Sequence, residues 1–154
     1  MPATGIANRL EQAGNIPTVA GSFALDTSAI MAFLEGESGA ERVEALLGAG
    51  HRGEVRIFAA FATRMELLYL VEQEKGPADL ARLKALMAFW PITWVHSDDG
   101  LCDSAASIKA KCRVSFADAF VAATAARMDA TLVHRDPEFT PLTAWLAQEL
   151  LPPK

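Results

Sequence analysis

Residues 115–139 read SFADAFVAATAARMDATLVHRDPEF, and this stretch decides the fold of the chain. Its first half is rich in alanine and predicts a helix with little side-chain bulk, which can lie very close to a sheet. Its second half, residues 130–134, is typical of a short strand and stops before Pro137, which cannot donate to a sheet ladder. Asp118 in the first turn of the helix and Asp136 at the tip of the strand therefore bracket one helix–strand unit.

The rest of the chain alternates strand-like and helical runs in the same way. Further strands are predicted at residues 22–25, 54–59 and 92–95. Helices are predicted at residues 29–34, 40–47, 63–75, 78–89 and 98–112, with a last helix at 142–147 and a weak strand or tail at 150–151. Since no hairpin-type turn joins two strands, this order predicts an α/β fold with a mainly parallel sheet of four to five strands and helices on both faces.

Length and composition predict one soluble domain. The chain has 154 residues, of which 51% are hydrophobic and 21% are charged, and this is enough to bury a sizeable core. Residues 1–22 are rich in glycine and proline around a possible short helix at 6–13, and we interpret them as an N-terminal extension to a domain at 23–154. No apolar run approaches the ~20 residues of a membrane span, and no signal-peptide pattern is found, so a cytoplasmic location is expected.

The two cysteines are predicted to be free thiols. Cys102 and Cys112 lie ten residues apart on one predicted helix. At a rise of about 1.5 Å per residue they are ~15 Å apart, which is beyond the reach of a disulfide.

Charge limits the classes of partner. The net charge of −5 argues against a protein that coats nucleic acid nonspecifically, although a local basic site is still compatible with it. Two interpretations are open for the basic residues in and just before residues 115–139. They form either a basic rim around an acidic pocket or a solvated charged face. These residues are Lys109, Lys111, Arg113, Arg127 and Arg135.

Four acids stand out by position: Asp26, Glu66, Asp118 and Asp136. Asp26 and Asp136 each follow a predicted strand, and ligands of open α/β sheets bind at the carboxyl ends of the strands where the strand order reverses. If the first and fourth strands are neighbours there, these two acids face one another.

Each acid also has a structural interpretation. Thr63-x-x-Glu66 and Ser115-x-x-Asp118 both match the capping box, in which the acid accepts from the amide of the N-cap residue. Asp26 can cap the helix that follows it, and Asp136 can start a turn before Pro137. The functional interpretation therefore rests on the four acids together.

If the four carboxylates converge, their repulsion is relieved by protons or by a cation. Mg²⁺ and Mn²⁺ prefer oxygen ligands of this kind, and such a site can activate water and stabilise displacement at a phosphodiester. Other chemistries lack their signatures, because the three histidines (His51, His96 and His134) show no metal-ligand spacing and no G-x-S-x-G, G-x-x-x-x-G-K or G-x-G-x-x-G motif is found.

The four segments that carry the acids resemble, in order and spacing, those of the PIN-domain nucleases, and of VapC-type toxins in particular. They are FALDTS at 23–28, TRMELLY at 63–69, SFADAFVAA at 115–123 and LVHRDPEF at 132–139. The resemblance implies a five-stranded parallel sheet, Mg²⁺ or Mn²⁺ held by the four acids, and endonucleolytic cleavage of RNA. It also implies that Ser28 orients a ligand or a water molecule.

The resemblance further implies partners. It implies a homodimer and an antitoxin whose C-terminal segment blocks the groove. The predicted helical hairpin at residues 62–89 would provide much of the dimer or antitoxin contact. The alternative is that the apolar residues of this hairpin serve ordinary core packing. Two features depart from the family: His134 stands where Thr or Ser is common, and the extension before Phe23 is long.

Two alternatives to a nuclease toxin are open. One is a catalytically degenerate PIN-like module that binds RNA or protein without cutting, and the presence of all four acids favours the nuclease. The other is a phospho-acceptor receiver or a haloacid-dehalogenase-type phosphatase. A receiver has paired acids at its first strand, and a phosphatase of this type has a D-x-D motif. Neither pattern is found here, since Asp26 is followed two residues later by Ser28.

Overall fold

The computed structural model describes residues 20–154. Residues 1–19, which make up nearly all of the predicted extension and include the possible helix at 6–13, lie outside the described residues. The division of the chain at residue 22 therefore stays a prediction.

A parallel sheet forms the centre of the described part of the chain. Its five strands are β1 (Ser22–Leu25), β2 (Arg56–Ala60), β3 (Ile92–Val95), β4 (Thr131–His134) and β5 (Gln148–Leu150). They are ordered β3-β2-β1-β4-β5, and every pair is parallel. The first and fourth strands are indeed neighbours, with Leu25 in register with Val133.

Helices cover both faces of the sheet, and the predicted α/β fold is confirmed. They are α1 (Thr27–Glu35), α2 (Ala40–His51), α3 (Phe61–Lys75), α4 (Pro77–Phe89), α5 (Asp99–Lys111) and α6 (Phe116–Arg127), with a 3₁₀ helix at Pro137–Ala144. Because successive strand side chains point to opposite faces, Leu132 joins the core beneath α5 and α6 while Val133 joins the core beneath α1 to α4.

The alanines of α6 let this helix lie directly on the sheet. Ala119, Ala122, Ala123 and Ala125 are all buried, and α6 contacts β1, β2 and β4. The first turn of this closely packed helix carries Asp118.

The predicted helix at 142–147 is wrong. The helical segment is instead the 3₁₀ helix, and the chain has already joined the sheet by Ala147, whose carbonyl accepts from the amide of Leu132 at 2.9 Å. Pro141 lies inside this segment and lacks an amide hydrogen, so a regular α-helical ladder cannot run through it. The last strand accordingly begins at Gln148 rather than at Leu150.

Two further features agree with the sequence. Cys102 and Cys112 are free thiols, as predicted. Among residues 20–154, no helix combines the length and the apolar character that crossing a membrane requires.

Candidate functional site

The site begins where β1 and β4 end side by side. Asp26 follows β1, and its amide donates to the carbonyl of Val133 at 3.0 Å, which continues the ladder by one bond. Asp26 also caps α1, since its Oδ2 accepts from the amide of Ser28 at 3.1 Å. Only 4% of Asp26 is exposed, and this burial raises the pKa of its carboxyl group against the opposing effect of the hydrogen bonds from Ser28.

Ser28 connects the two strand ends. Its hydroxyl donates to Oδ2 of Asp26 at 2.6 Å and accepts from the amide of Arg135 at 2.9 Å. Ser28 therefore ties the first acid to the loop that carries Asp136, in addition to any contact with a ligand or water.

Glu66 is brought to the site by α3, but the predicted capping box is wrong. The helix begins at Phe61 with Ala60 as its N-cap, so Thr63 lies inside the first turn and Glu66 in the second. Glu66 Oε1 accepts instead from the hydroxyl of Thr27 at 2.9 Å. The pKa of Glu66 is raised, first by burial and then by the charges of Asp26 and Asp136, while the Thr27 bond opposes the shift.

Sequence reasoning did not identify Thr27. It occupies the first position of α1, immediately after Asp26, and from there its side chain reaches a residue 39 positions away in the chain. The only signal in the sequence is its position beside an acid at a strand end.

Asp118 joins the cluster from the start of α6. Ser115 is the N-cap residue, and its hydroxyl accepts from the amide of Asp118 at 3.1 Å, which confirms this part of the second capping box. Only 9% of Asp118 is exposed. Burial raises the pKa of Asp118 to about 7, and the charges of Asp26, Asp136 and Glu66 add to the shift against the effect of Ser115. The four predicted acids therefore belong to one electrostatic cluster.

Asp136 caps the 3₁₀ helix, and a fifth acid lies beside it. Oδ1 of Asp136 accepts from the amide of Glu138 at 2.9 Å. The carboxylates of Asp118, Asp136 and Glu138 each place an oxygen within 4.8 Å of the others. Sequence reasoning missed Glu138, for which the available signal was an acid two residues beyond Asp136.

The donor set suits a hard divalent cation. Every converging ligand is a carboxylate oxygen, the type that Mg²⁺ and Mn²⁺ prefer, and burial and mutual repulsion make the empty charged cluster unfavourable. Capping and metal binding are compatible, because one carboxylate offers about four lone-pair sites and the capping bonds use few of them.

The basic residues in and just before residues 115–139 are engaged mainly within the chain itself. Arg127 pairs with Asp98 at 2.7 Å, and Arg135 pairs with Glu37. Lys109 donates to the carbonyl of Val114, and Lys111 lies over the ring of Trp145. These contacts favour a structural role for four of the five residues that could have formed a basic rim.

Comparison with known families gives one match that covers most of the chain. The family model for the PIN domain matches residues 23–142. No curated protein sequence matches the chain.

Solved structures share this fold at low sequence identity. VapBC2 of Rickettsia felis bound to a promoter DNA fragment has a TM-score of 0.68 and 16% identity, over 85% of this chain and 99% of that chain. DNA-bound VapBC from Salmonella typhimurium has a TM-score of 0.63 and 20% identity, over 83% and 96%. VapC20 of Mycobacterium tuberculosis, a sarcin-ricin loop cleaving toxin, has a TM-score of 0.60 and 17% identity, over 77% and 93%.

Proposed function

This chain belongs to the PIN domain family, and from that premise we propose that it is a metal-dependent endoribonuclease that hydrolyses RNA phosphodiester bonds. The observation that carries the proposal is a cluster of acids: Asp118, Asp136 and Glu138 have carboxylate oxygens within 4.8 Å of one another, and the charges of Asp26 and Glu66 also act on Asp118. Burial raises the pKa of Asp118 to about 7, and the charges of Asp26, Asp136 and Glu66, which come from other segments of the chain, add to that shift. A purely structural set of caps gives no reason for the four charges to be gathered in one place.

In this proposal the four acids hold Mg²⁺ or Mn²⁺. A divalent ion, when bound, stabilises charge that develops on the phosphodiester and lowers the pKa of water. The chain contributes the fixed positions of the ligands: Ser28 holds Oδ2 of Asp26, and Thr27 holds Oε1 of Glu66. Asp118, with a pKa of about 7, keeps a proton on its carboxyl group below that pH and releases it as the charged ligand set forms.

The cellular role proposed is that of the toxin in a toxin–antitoxin pair. Support comes from the structural neighbours, which include toxin–antitoxin complexes. On this proposal the nuclease domain spans residues 23–154 after an extension at 1–22, acts in the cytoplasm as a homodimer, and is inhibited by an antitoxin that occupies the acidic groove.

The test is cleavage of a structured RNA by the purified chain in Mn²⁺ or Mg²⁺. Wild-type protein is expected to cut internally, and chelation by EDTA is expected to stop the reaction. Asp26→Asn and Asp118→Asn should each abolish cleavage, because each removes a charged oxygen ligand.

The two variants also serve as controls for purity. Equal cleavage by wild type, Asp26→Asn and Asp118→Asn would identify a contaminant and remove the claim of activity. A wild-type chain that binds RNA or a protein partner in Mn²⁺ but leaves RNA intact would instead identify the degenerate binding module.

A further inference from the structure

His134 is buried at the end of β4, two residues before Asp136. Only 1% of it is exposed, and its ring packs on that of Phe139 with the centroids 5.0 Å apart. A buried imidazole needs partners for both ring nitrogens. These partners are the amide of Asp136, in the loop after β4, and the side chain of Gln148 on β5.

The hydrogen bonds of His134 fix its tautomer. The amide of Asp136 donates to Nδ1 at 3.1 Å, and a backbone amide can only donate, so Nδ1 carries no proton. Nε2 therefore bears the hydrogen and donates to Oε1 of Gln148 at 2.8 Å. In this arrangement Nδ1 accepts and Nε2 donates.

Gln148 extends this chain of hydrogen bonds back to the same loop. With its Oε1 accepting from His134, its Nε2 donates to the carbonyl of Phe139 at 2.8 Å. Every donor and acceptor in the sequence of three bonds is consistent in direction. The network joins β4, the edge strand β5 and the 3₁₀ helix around the loop that carries Asp136 and Glu138.

We propose that His134 is a positioning residue for the metal site: through Asp136 directly and through Gln148 it holds the loop so that Asp136 and Glu138 converge with Asp118 on one divalent cation. The inference rests on the proposed function for the identity of the ligand. It assigns to His134 a role that comes from hydrogen-bond geometry, with no ligand contact of its own.

The amide of Arg135 supports the same conclusion. It donates to Ser28, so two successive amides of this loop are fixed, one from the β1 side and one by His134. The loop preceding the 3₁₀ helix is thereby held on both sides before any cation arrives. Partners of this kind around a metal site typically contribute tenfold to a hundredfold in metal affinity.

The test is Mn²⁺ binding by calorimetry to the full chain, which does not depend on RNA cleavage. His134→Leu keeps the volume but offers no acceptor, and it is expected to weaken Mn²⁺ binding by about tenfold to a hundredfold. His134→Asn places Oδ1 at the same number of bonds from the backbone as Nδ1, and it is expected to recover most of the affinity. Thr124→Val is the matched control, because it removes a buried hydrogen bond to the carbonyl of Phe120 that does not involve the loop.

The outcomes separate the inference from the proposed function. The positioning role would be overturned if His134→Leu bound Mn²⁺ with wild-type affinity. It would also be overturned if His134→Asn or Thr124→Val weakened Mn²⁺ binding as much as His134→Leu does. Either result would leave the nuclease proposal intact. No Mn²⁺ binding by the wild-type chain would overturn both.

A second variant and a spectroscopic measurement decide the question if His134→Leu does not fold. Gln148 lies on the half-buried edge strand, and Gln148→Leu should also weaken Mn²⁺ binding. Unchanged Mn²⁺ affinity in this variant would count against the hydrogen-bond network. In the wild-type chain, ¹⁵N NMR of the imidazole should show a protonated Nε2 and an unprotonated Nδ1. The opposite tautomer would refute the hydrogen-bond assignment.

Discussion

Asp118 is an acid whose ionisation the folded chain opposes. Its pKa is about 7 against an ordinary value of 3.8, chiefly because of burial and then because of the charge of Asp26. The folded state therefore binds this proton more tightly than the unfolded chain does. The stabilisation from it is fully present below pH 3.8 and is lost as the pH rises through about 7. Glu66, whose pKa is also raised, acts in the same direction.

Asp118→Asn should consequently stabilise the metal-free protein at about pH 8. We expect a gain of about 1–2 kcal/mol in the free energy of unfolding after solvent screening, and a smaller gain at about pH 5. Urea denaturation in EDTA at the two pH values measures both. Added Mn²⁺ should reverse the order at the higher pH, because the wild-type chain alone keeps the full ligand set.

Asp98→Asn is the matched control with the opposite sign. Its ion pair with Arg127 lowers the pKa of Asp98 to about 2, so its stabilisation is present above the ordinary value of 3.8 and is lost as the pH falls through about 2. This variant should lose stability at about pH 8, where Asp118→Asn gains it. A loss of stability in both variants would contradict the electrostatic account of the acidic cluster.

At the scale of elements, α6 illustrates how packing places a ligand. Ala122 is fully buried against the sheet, whereas Ala126 on the same helix is exposed. A larger side chain at the buried position must push the helix away from the strands. Such a movement would also displace the first turn, where Asp118 lies.

Ala122→Leu should therefore destabilise the chain by about 1–3 kcal/mol and weaken Mn²⁺ binding. Ala126→Leu, with the same change on the exposed face, should leave both nearly unchanged. Urea denaturation and calorimetric titration with Mn²⁺ test the two effects. Equal behaviour of the two variants would show that the close approach of α6 to the sheet does not position Asp118.

The elements with strong local signals were predicted well from the sequence. The strands Ser22–Leu25 and Ile92–Val95 have the predicted bounds, because turn or proline signals on either side of an apolar run fix where the strand begins and ends. The segment after Pro137 was not, because Pro141 interrupts an α-helical ladder there and the chain then returns to pair with β4.

The site was partly predictable for a related reason. Asp26 and Asp136 follow strands, and the sequence places both at the edge where ligands bind. Glu66 stands out in the sequence, but its predicted capping partner was wrong, because its actual partner, Thr27, lies 39 residues away. Contacts of this separation, like those of His134 with Gln148, are set by strand order and appear only in the folded chain.

At the scale of the whole molecule, exposed large hydrophobic side chains are concentrated on one helical hairpin. Helices α3 and α4 are joined by Gly76 alone and pack on each other as a hairpin. Among the residues described, seven large hydrophobic side chains are exposed, and four lie on this hairpin: Met65, Tyr69, Leu86 and Phe89. In an antiparallel pair the first half of α3 lies beside the last turns of α4, so the four belong to the same end of the hairpin. This clustering supports the proposed use of the hairpin as the contact between two copies of the chain.

Phe89→Glu should convert the proposed homodimer to a monomer. Phe89 is 78% exposed at the end of α4, so a charge there costs little in the monomer but is unfavourable when buried against a second copy. Sedimentation equilibrium measures the mass, and calorimetry with Mn²⁺ shows whether each subunit keeps its site. Leu150→Glu is the control, because Leu150 is 59% exposed on β5, outside the hairpin, and its variant should remain dimeric. If the dimer survives Phe89→Glu but dissociates with Leu150→Glu, the interface lies at the edge of the sheet instead of on the hairpin. A monomeric wild-type chain would refute the homodimer itself.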